Sequence, residues 1–360
     1  YHFLDSVLCG RSGFPTPRAK LRKLPDVPKP SSPDALPIDA AFLDRFDYFN
    51  KCCRERGIYL MVDILTDGNS GWTSASDKVP MRENFRFGML FDHPGYRANY
   101  LAGFRFLMNH VNPYTGKRMV DDPQFIGITF LNEYEHLFSD KSLEALTPEW
   151  RRFRNPTAPE SVPAFSRQLL AADTPDGVAA RAWLQDRIDE INRFFLAAAE
   201  NAGFRGFVTL WDMFMRNLEG VARRGMNAVS MHTYFAHPIS ARLAPATYRQ
   251  RLQYGRWLRG TMMKVVQSSS IVHRNGYFNR AAATRVFGKP FLLTEYSHNG
   301  YNRYSHEAGL LQGATAALQG WDALMSHCNL IALYYEPFRA FSFDNGSNPA
   351  AKVASLLTAF

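Results

Sequence analysis

The sequence predicts an α/β protein built on a parallel sheet, and three observations predict it. Apolar runs of six to eight residues alternate with amphipathic helical stretches along most of the 360 residues. These runs read as strands buried on both faces, the pattern of a parallel sheet sheathed by helices. Several runs also end in a polar or ionisable residue, and such groups at the C-terminal ends of parallel strands mark the active face of a barrel.

The elements follow in chain order. Asp39 to Arg56 is a helix, because Phe42, Leu43, Phe46, Phe49 and Cys53 recur at helical spacing and Gly57 ends the run. The strand Ile58 to Leu65 (IYLMVDIL) comes next, then a helix over Tyr96 to Val111 and the strand Phe125 to Leu131 (FIGITFL). A helix over Ala179 to Asn201 leads to the strands Phe207 to Phe214 (FVTLWDMF) and Ala228 to Tyr234 (AVSMHTY). The strand Pro290 to Glu295 (PFLLTE), a helix over His306 to Trp321 and the strand Leu330 to Tyr335 (LIALYY) complete the series. The polar strand ends are Asp63, Asn132 with Glu133, Asp212, His232, Glu295 and Glu336.

Two stretches interrupt this rhythm. Residues 14–37 hold seven prolines among Arg18, Lys20, Arg22 and Lys23, and read as a long irregular loop. Residues 140–177 read as an insertion, and long loops on the active face shape a binding cleft. Neither suggests a separate domain, so residues 1–360 are expected to form one.

Composition narrows the function classes. The net charge of +9 favours acidic partners. No RNA-binding aromatic signature, zinc finger or basic helix-turn-helix is present, which argues against nucleic acid. No apolar run of about 18 residues occurs, so no membrane-spanning helix is expected. Cys9, Cys52, Cys53 and Cys328 lack metal spacing and are expected as free thiols. The chain starts at Tyr1, as expected of a processed or truncated start.

The chemistry gathers on two carboxylates. Glycosidic hydrolysis needs one carboxyl to protonate the leaving oxygen and another to attack the anomeric carbon or activate water. Glu133 follows an apolar strand in ITFLNEYEH, and Glu295 does the same in KPFLLTEYSHNG, 162 residues later (295 − 133). A single Glu after an apolar run is usually a solvated strand end. Two of them, with Asn132 before the first and His232 and Tyr234 on a strand between, make a far more specific pattern. Glu135 competes as the acid but reads better as an exposed loop carboxylate.

A strand ending Asn-Glu followed later by a strand ending in a lone Glu resembles clan A of the glycoside hydrolases, most closely the cellulase-fold enzymes related to family five. The resemblance covers nearly the whole chain and extends to NPYTG at 112–116 and HTYFAHP at 232–238. It implies a (β/α)₈ TIM barrel in which Glu133 closes strand four and Glu295 strand seven. Six strands are then accounted for, Tyr1 to Asp5 becomes the tail of strand two, and the first βα unit is missing.

By the same resemblance Glu133 is the general acid/base and Glu295 the nucleophile of a retaining hydrolase. Asn132 would bind the sugar 2-hydroxyl, while His232 or Tyr234 would contact the nucleophile. Trp211, His298, Tyr335 and Asp5 are further substrate-binding candidates, although Trp211 is as readily a core residue. Tyr334, Tyr335 and Glu336 stand where the clan usually ends strand eight with tryptophan. A secreted or periplasmic location is implied, with a carbohydrate substrate and no cofactor. Arg18, Arg22, Arg151, Arg152 and Arg154 in the two long loops suggest an anionic glycan.

Two alternatives stay open. The cleft could bind carbohydrate without catalysis. Asp63, His232, His237 and His298 could instead hold a metal in a barrel hydrolase, although the His-x-His strand typical of such barrels is absent and no metal is expected.

Overall fold

A computed structural model describes residues 4–9, 35–66, 71–72, 82–213, 222–235, 239–242, 261–264, 268–272, 281–298, 302–327 and 353. The chain divides into two compact units, 1–228 and 229–360.

Unit 1 is a parallel three-stranded sheet in the order β1 (Leu60–Asp63), β2 (Phe125–Thr129), β3 (Phe207–Thr209). Helix α1 (Leu4–Val7) precedes α2 (Ala40–Glu55). The Asp39 carboxylate caps α2 by accepting the N–H groups of Ala41 and Phe42, and Gly57 leaves the helix at φ +66°. Helices α3 (Arg82–Leu90) and α4 (Pro94–Asn109) lie between β1 and β2. The expected helix at 96–111 therefore starts two residues earlier, with Pro94 in its first turn, where a missing N–H costs nothing.

The 140–177 insertion, expected as a loop, is largely helical. It carries α5 (Asp140–Ala145), α6 (Thr147–Arg154) and α7 (Arg167–Ala171) before the long α8 (Pro175–Ala202). Ser139, Ser166 and Thr174 side chains cap α5, α7 and α8, and Trp150 of α6 packs on Phe165 and on Trp183 of α8. Helices this short draw stability from such packing rather than from propensity, which is why periodicity did not reveal them. Arg97 of α4 grips Glu190 of α8 through two hydrogen bonds of 2.7 and 2.8 Å, locking two helices that cover the sheet.

Unit 2 is a second parallel sheet in the order β4 (Val229–Phe235), β7 (Phe291–His298), β8 (Ala323–Ser326). A separate antiparallel pair is formed by β5 (Ile239–Arg242) and β6 (Thr261–Lys264). The chain returns from β7 to β8 through α9 (Glu307–Gln319), completing a βαβ crossover. A bulge between Met231 and His232 shifts the register so that His232 lies opposite Glu295.

Parallel pairing and the βα alternation stand as the sequence predicts, with two differences. Residues 4–7 form α1 rather than the end of a strand, so Asp5 is not a strand-end residue. The strand after α9 begins at Ala323; the predicted strand Leu330 to Tyr335, with Tyr335 itself, lies outside the described residues, as does most of the 14–37 loop. Among the described cysteines Cys9 and Cys53 are buried and Cys52 is partly exposed. Among the described residues no helix is long and apolar enough to cross a membrane.

Candidate active site

In unit 1 the polar groups collect beyond the C-terminal ends of β2 and β3. After β2 the chain passes through Phe130 and Leu131, both fully buried, to Asn132, whose carbonyl accepts a 2.8 Å hydrogen bond from the buried Arg86 guanidinium. Glu133 then adopts φ +50°, one of two non-glycine residues in the left-handed region among the described residues. Such a conformation costs on the order of 1–3 kcal/mol and persists only where the surroundings over-determine it. Here the Glu133 N–H donates to Asp212 Oδ1 at 2.9 Å, and Asp212 is itself fully buried.

Glu135 corrects an expectation. Read as an exposed loop carboxylate, it is fully buried: its Oε1 accepts the Met213 N–H at 2.9 Å and lies 3.5 Å from the Arg223 guanidinium. Arg223 in turn donates to the carbonyls of Trp211 and Met213. Burial pushes the Glu135 carboxyl well above its usual range, the Asp212 charge adds to this, and Arg223 only partly opposes it.

Two other candidates turn inward. The Trp211 ring is buried, stacked on Phe138 at 5.4 Å and packed on Tyr134 at 4.9 Å, and its indole N–H donates to Asn192. It belongs to the core of unit 1 and lines no open surface. Asp5 is fully buried, and its Oδ1 accepts the Thr66 N–H at 3.2 Å just past β1. It holds the strand end in place of reaching outward.

In unit 2 three side chains converge on one oxygen of Glu295. The Tyr234 hydroxyl donates to Oε2, the Nδ1 of His232 lies 3.4 Å from it, and the Nδ1 of His327 lies 3.7 Å away. Tyr234 and His327 also meet edge to face at 6.0 Å. Glu295 is buried and Tyr234 half-buried, so hydroxyl and carboxylate meet in a largely dry setting that strengthens their hydrogen bond. His232 and Tyr234 thus both touch Glu295. His327 was not foreseen, since it follows β8, a strand four residues long that no apolar run announced.

His298 is the remaining correction. Expected as a loop histidine near substrate, it ends β7 fully buried, stacked on Phe235 at 4.6 Å. Burial lowers its pKa to about 4, against a smaller opposing pull from Glu307. The enclosed imidazole packs within unit 2 at the end of the strand. His237, Tyr335 and Glu336 lie outside the described residues.

Three solved enzymes align with the chain. An endo-β-1,4-mannanase from Thermotoga petrophila aligns at TM-score 0.48 and 13% identity, over 88% of this chain and 61% of that one. A glycoside hydrolase family 5 mannosidase from Rhizomucor miehei aligns at 0.47 and 10% identity, over 96% and 80%. An endo-β-1,4-glucanase from Xanthomonas axonopodis pv. citri aligns at 0.40 and 13% identity, over 89% and 80%. This chain thus spans less than two thirds of the mannanase. No protein-family model and no curated protein sequence matches it.

Proposed function

We propose that this chain is the catalytic region of a retaining glycoside hydrolase, a (β/α)₈ barrel cleaving β-glycosidic bonds of an oligo- or polysaccharide by double displacement. The observation that carries the reading is the convergence of Tyr234, His232 and His327 on Glu295 Oε2, in the second half of β7. A carboxylate fixed in this way is oriented as an attacking group must be.

In the first step a Glu295 oxygen would bond to the anomeric carbon as the glycosidic carbon–oxygen bond breaks. Glu133 would deliver its proton to the departing oxygen. In the second, Glu133 would take a proton from water, whose oxygen bonds to the anomeric carbon and releases Glu295. The buried Asn132, whose Oδ1 has no hydrogen-bond partner among the described residues, is suited to a sugar hydroxyl. Trp211, His298 and Asp5 are left out of this assignment by their burial.

The test is a screen of aryl β-glycosides and polysaccharides with wild type, Glu133→Gln and Glu295→Gln in parallel. The reading expects each substitution to lower turnover by on the order of 10²-fold or more. A 2-deoxy-2-fluoro glycoside should label Glu295, read by peptide mass. Full turnover by Glu295→Gln, with no label at that residue, would remove the assignment.

A further inference from the structure

The left-handed turn at Glu133 is not explained by the apolar strand before it, because a β-strand can end in many ways without a non-glycine residue at φ +50°. A hydrogen bond accompanies the turn: the Glu133 N–H donates to Asp212 Oδ1 at 2.9 Å. Asp212 lies three residues past the last ladder residue of β3, so this bond ties the ends of two strands together.

Behind it the same region is organised by charge. Glu135, a buried carboxyl on which the charge of the buried Asp212 acts, lies 3.5 Å from the buried Arg223 guanidinium. Arg223 is also committed to the carbonyls of Trp211 and Met213, the residues on either side of Asp212. Both neighbours of the Asp212 carboxylate are thereby clamped, and the Met213 N–H is bound by Glu135. So many restraints on one short segment leave the Asp212 oxygen a fixed acceptor.

We propose that Asp212 is a positioning residue for Glu133, its carboxylate holding the left-handed backbone that aims the Glu133 side chain, with Glu135 and Arg223 holding Asp212. The inference rests on the reading of Glu133 as general acid/base, and it makes the backbone at 133 a built part of that function. A misaimed acid delivers its proton poorly, so the loss falls on substrates that need the proton.

The test uses the full chain, with Asp212→Ala, Asp212→Asn and Glu133→Gln, on phenyl and 2,4-dinitrophenyl β-glycosides. Dinitrophenolate leaves without protonation and phenolate does not. Asp212→Ala is expected to lower kcat/KM, which reports the bond-breaking step, at least about tenfold on the phenyl glycosides, with kcat/KM on the dinitrophenyl glycosides nearly kept. Asp212→Asn retains an acceptor oxygen and should restore most of the phenyl rate. Equal loss of kcat/KM on both substrates would overturn the proposal, since a merely structural defect does not distinguish leaving groups.

A second measurement needs no turnover. Selective ¹⁵N-glutamate labelling, with Glu133→Gln removing its own peak as the assignment, follows the Glu133 amide directly. Its proton should exchange with solvent at least about tenfold faster in Asp212→Ala and near the wild-type rate in Asp212→Asn. Unchanged exchange in Asp212→Ala overturns the proposal whatever the substrate. If Glu133→Gln leaves phenyl glycoside turnover intact, the general-acid assignment fails, whereas its loss with an indifferent Asp212→Ala removes only Asp212.

Discussion

His298 predicts how unit 2 responds to acid. Its imidazole is fully buried against Phe235 at the end of β7, with Glu307 and His306 as the charged groups acting on it, and its pKa falls from 6.5 to about 4. The unfolded chain therefore binds the proton more readily than the folded one between those values. It follows that this contribution to stability is complete above pH 6.5 and is lost as pH falls towards 4. Linkage puts the loss between pH 7 and pH 5 at about 2 kcal/mol, or about a thirtyfold rise in opening. Glu307 does not blur this window. Burial raises its carboxyl, but hydrogen bonds from Ser269 and Ser270 outweigh burial and leave it below 4.5, so its own loss begins at lower pH. The assay is native-state hydrogen exchange of residues 291–298, corrected for intrinsic rates, in wild type and His298→Phe, which keeps the ring stack. The wild-type opening free energy should fall by about 2 kcal/mol across the window and stay flat in the variant. Equal slopes would refute the reasoning.

Three further predictions follow from single contacts. Tyr234→Phe removes the hydroxyl that donates to Glu295 and should lower kcat on aryl glycosides by about 10- to 100-fold in the proposed enzyme, since a hydrogen bond to a charged group is worth about 1.5–3 kcal/mol. Asp39→Ala strips α2 of its cap and should destabilise unit 1 by about 1 kcal/mol in urea titration. Gly103→Ala reverses the usual gain of alanine over glycine in a helix: its Cβ would come within 2.1 Å of the buried Trp72 indole, so stability should drop by about 1–3 kcal/mol by the same titration.

Much of the frame was legible because a buried parallel strand leaves a plain mark. The apolar runs at 125–131, 207–214, 228–234 and 290–295 each overlap a strand, and both Glu133 and Glu295 follow the apolar residues that locate them. What stayed hidden depends on partners distant in sequence. Glu135 looks like any loop carboxylate until Met213, Arg223 and Asp212, 77–88 residues away, enclose it. Trp211 and His298 sit at strand ends, where the pattern suggests contact with a ligand, yet neighbouring rings claim both. Strand β8 was missed because four half-buried residues, Ala323 to Ser326, carry too weak an apolar signal to compete with the richer run at 330–335.

The two carboxylates are held by different means, and the difference suits the two roles proposed for them. Glu295 is fixed through its side chain, with three groups around one oxygen, as an attacking atom requires when its lone pair must meet a carbon along one direction. Glu133 is fixed through its backbone, by the Asp212 bond, and remains half-buried rather than enclosed. A general acid/base must release a proton in one step and take one from water in the next, so its carboxyl needs a set origin and access to water. Exchanging the roles would ask the enclosed carboxylate to trade protons with water and the half-open one to form the covalent bond. On this ground Glu295→Ala should be rescued by azide on a 2,4-dinitrophenyl glycoside with inversion at the anomeric carbon, and Glu133→Ala with retention, because azide then enters from the face each carboxylate served. Proton NMR of the glycosyl azides reads the outcome, and retention from Glu295→Ala would reverse the assignment.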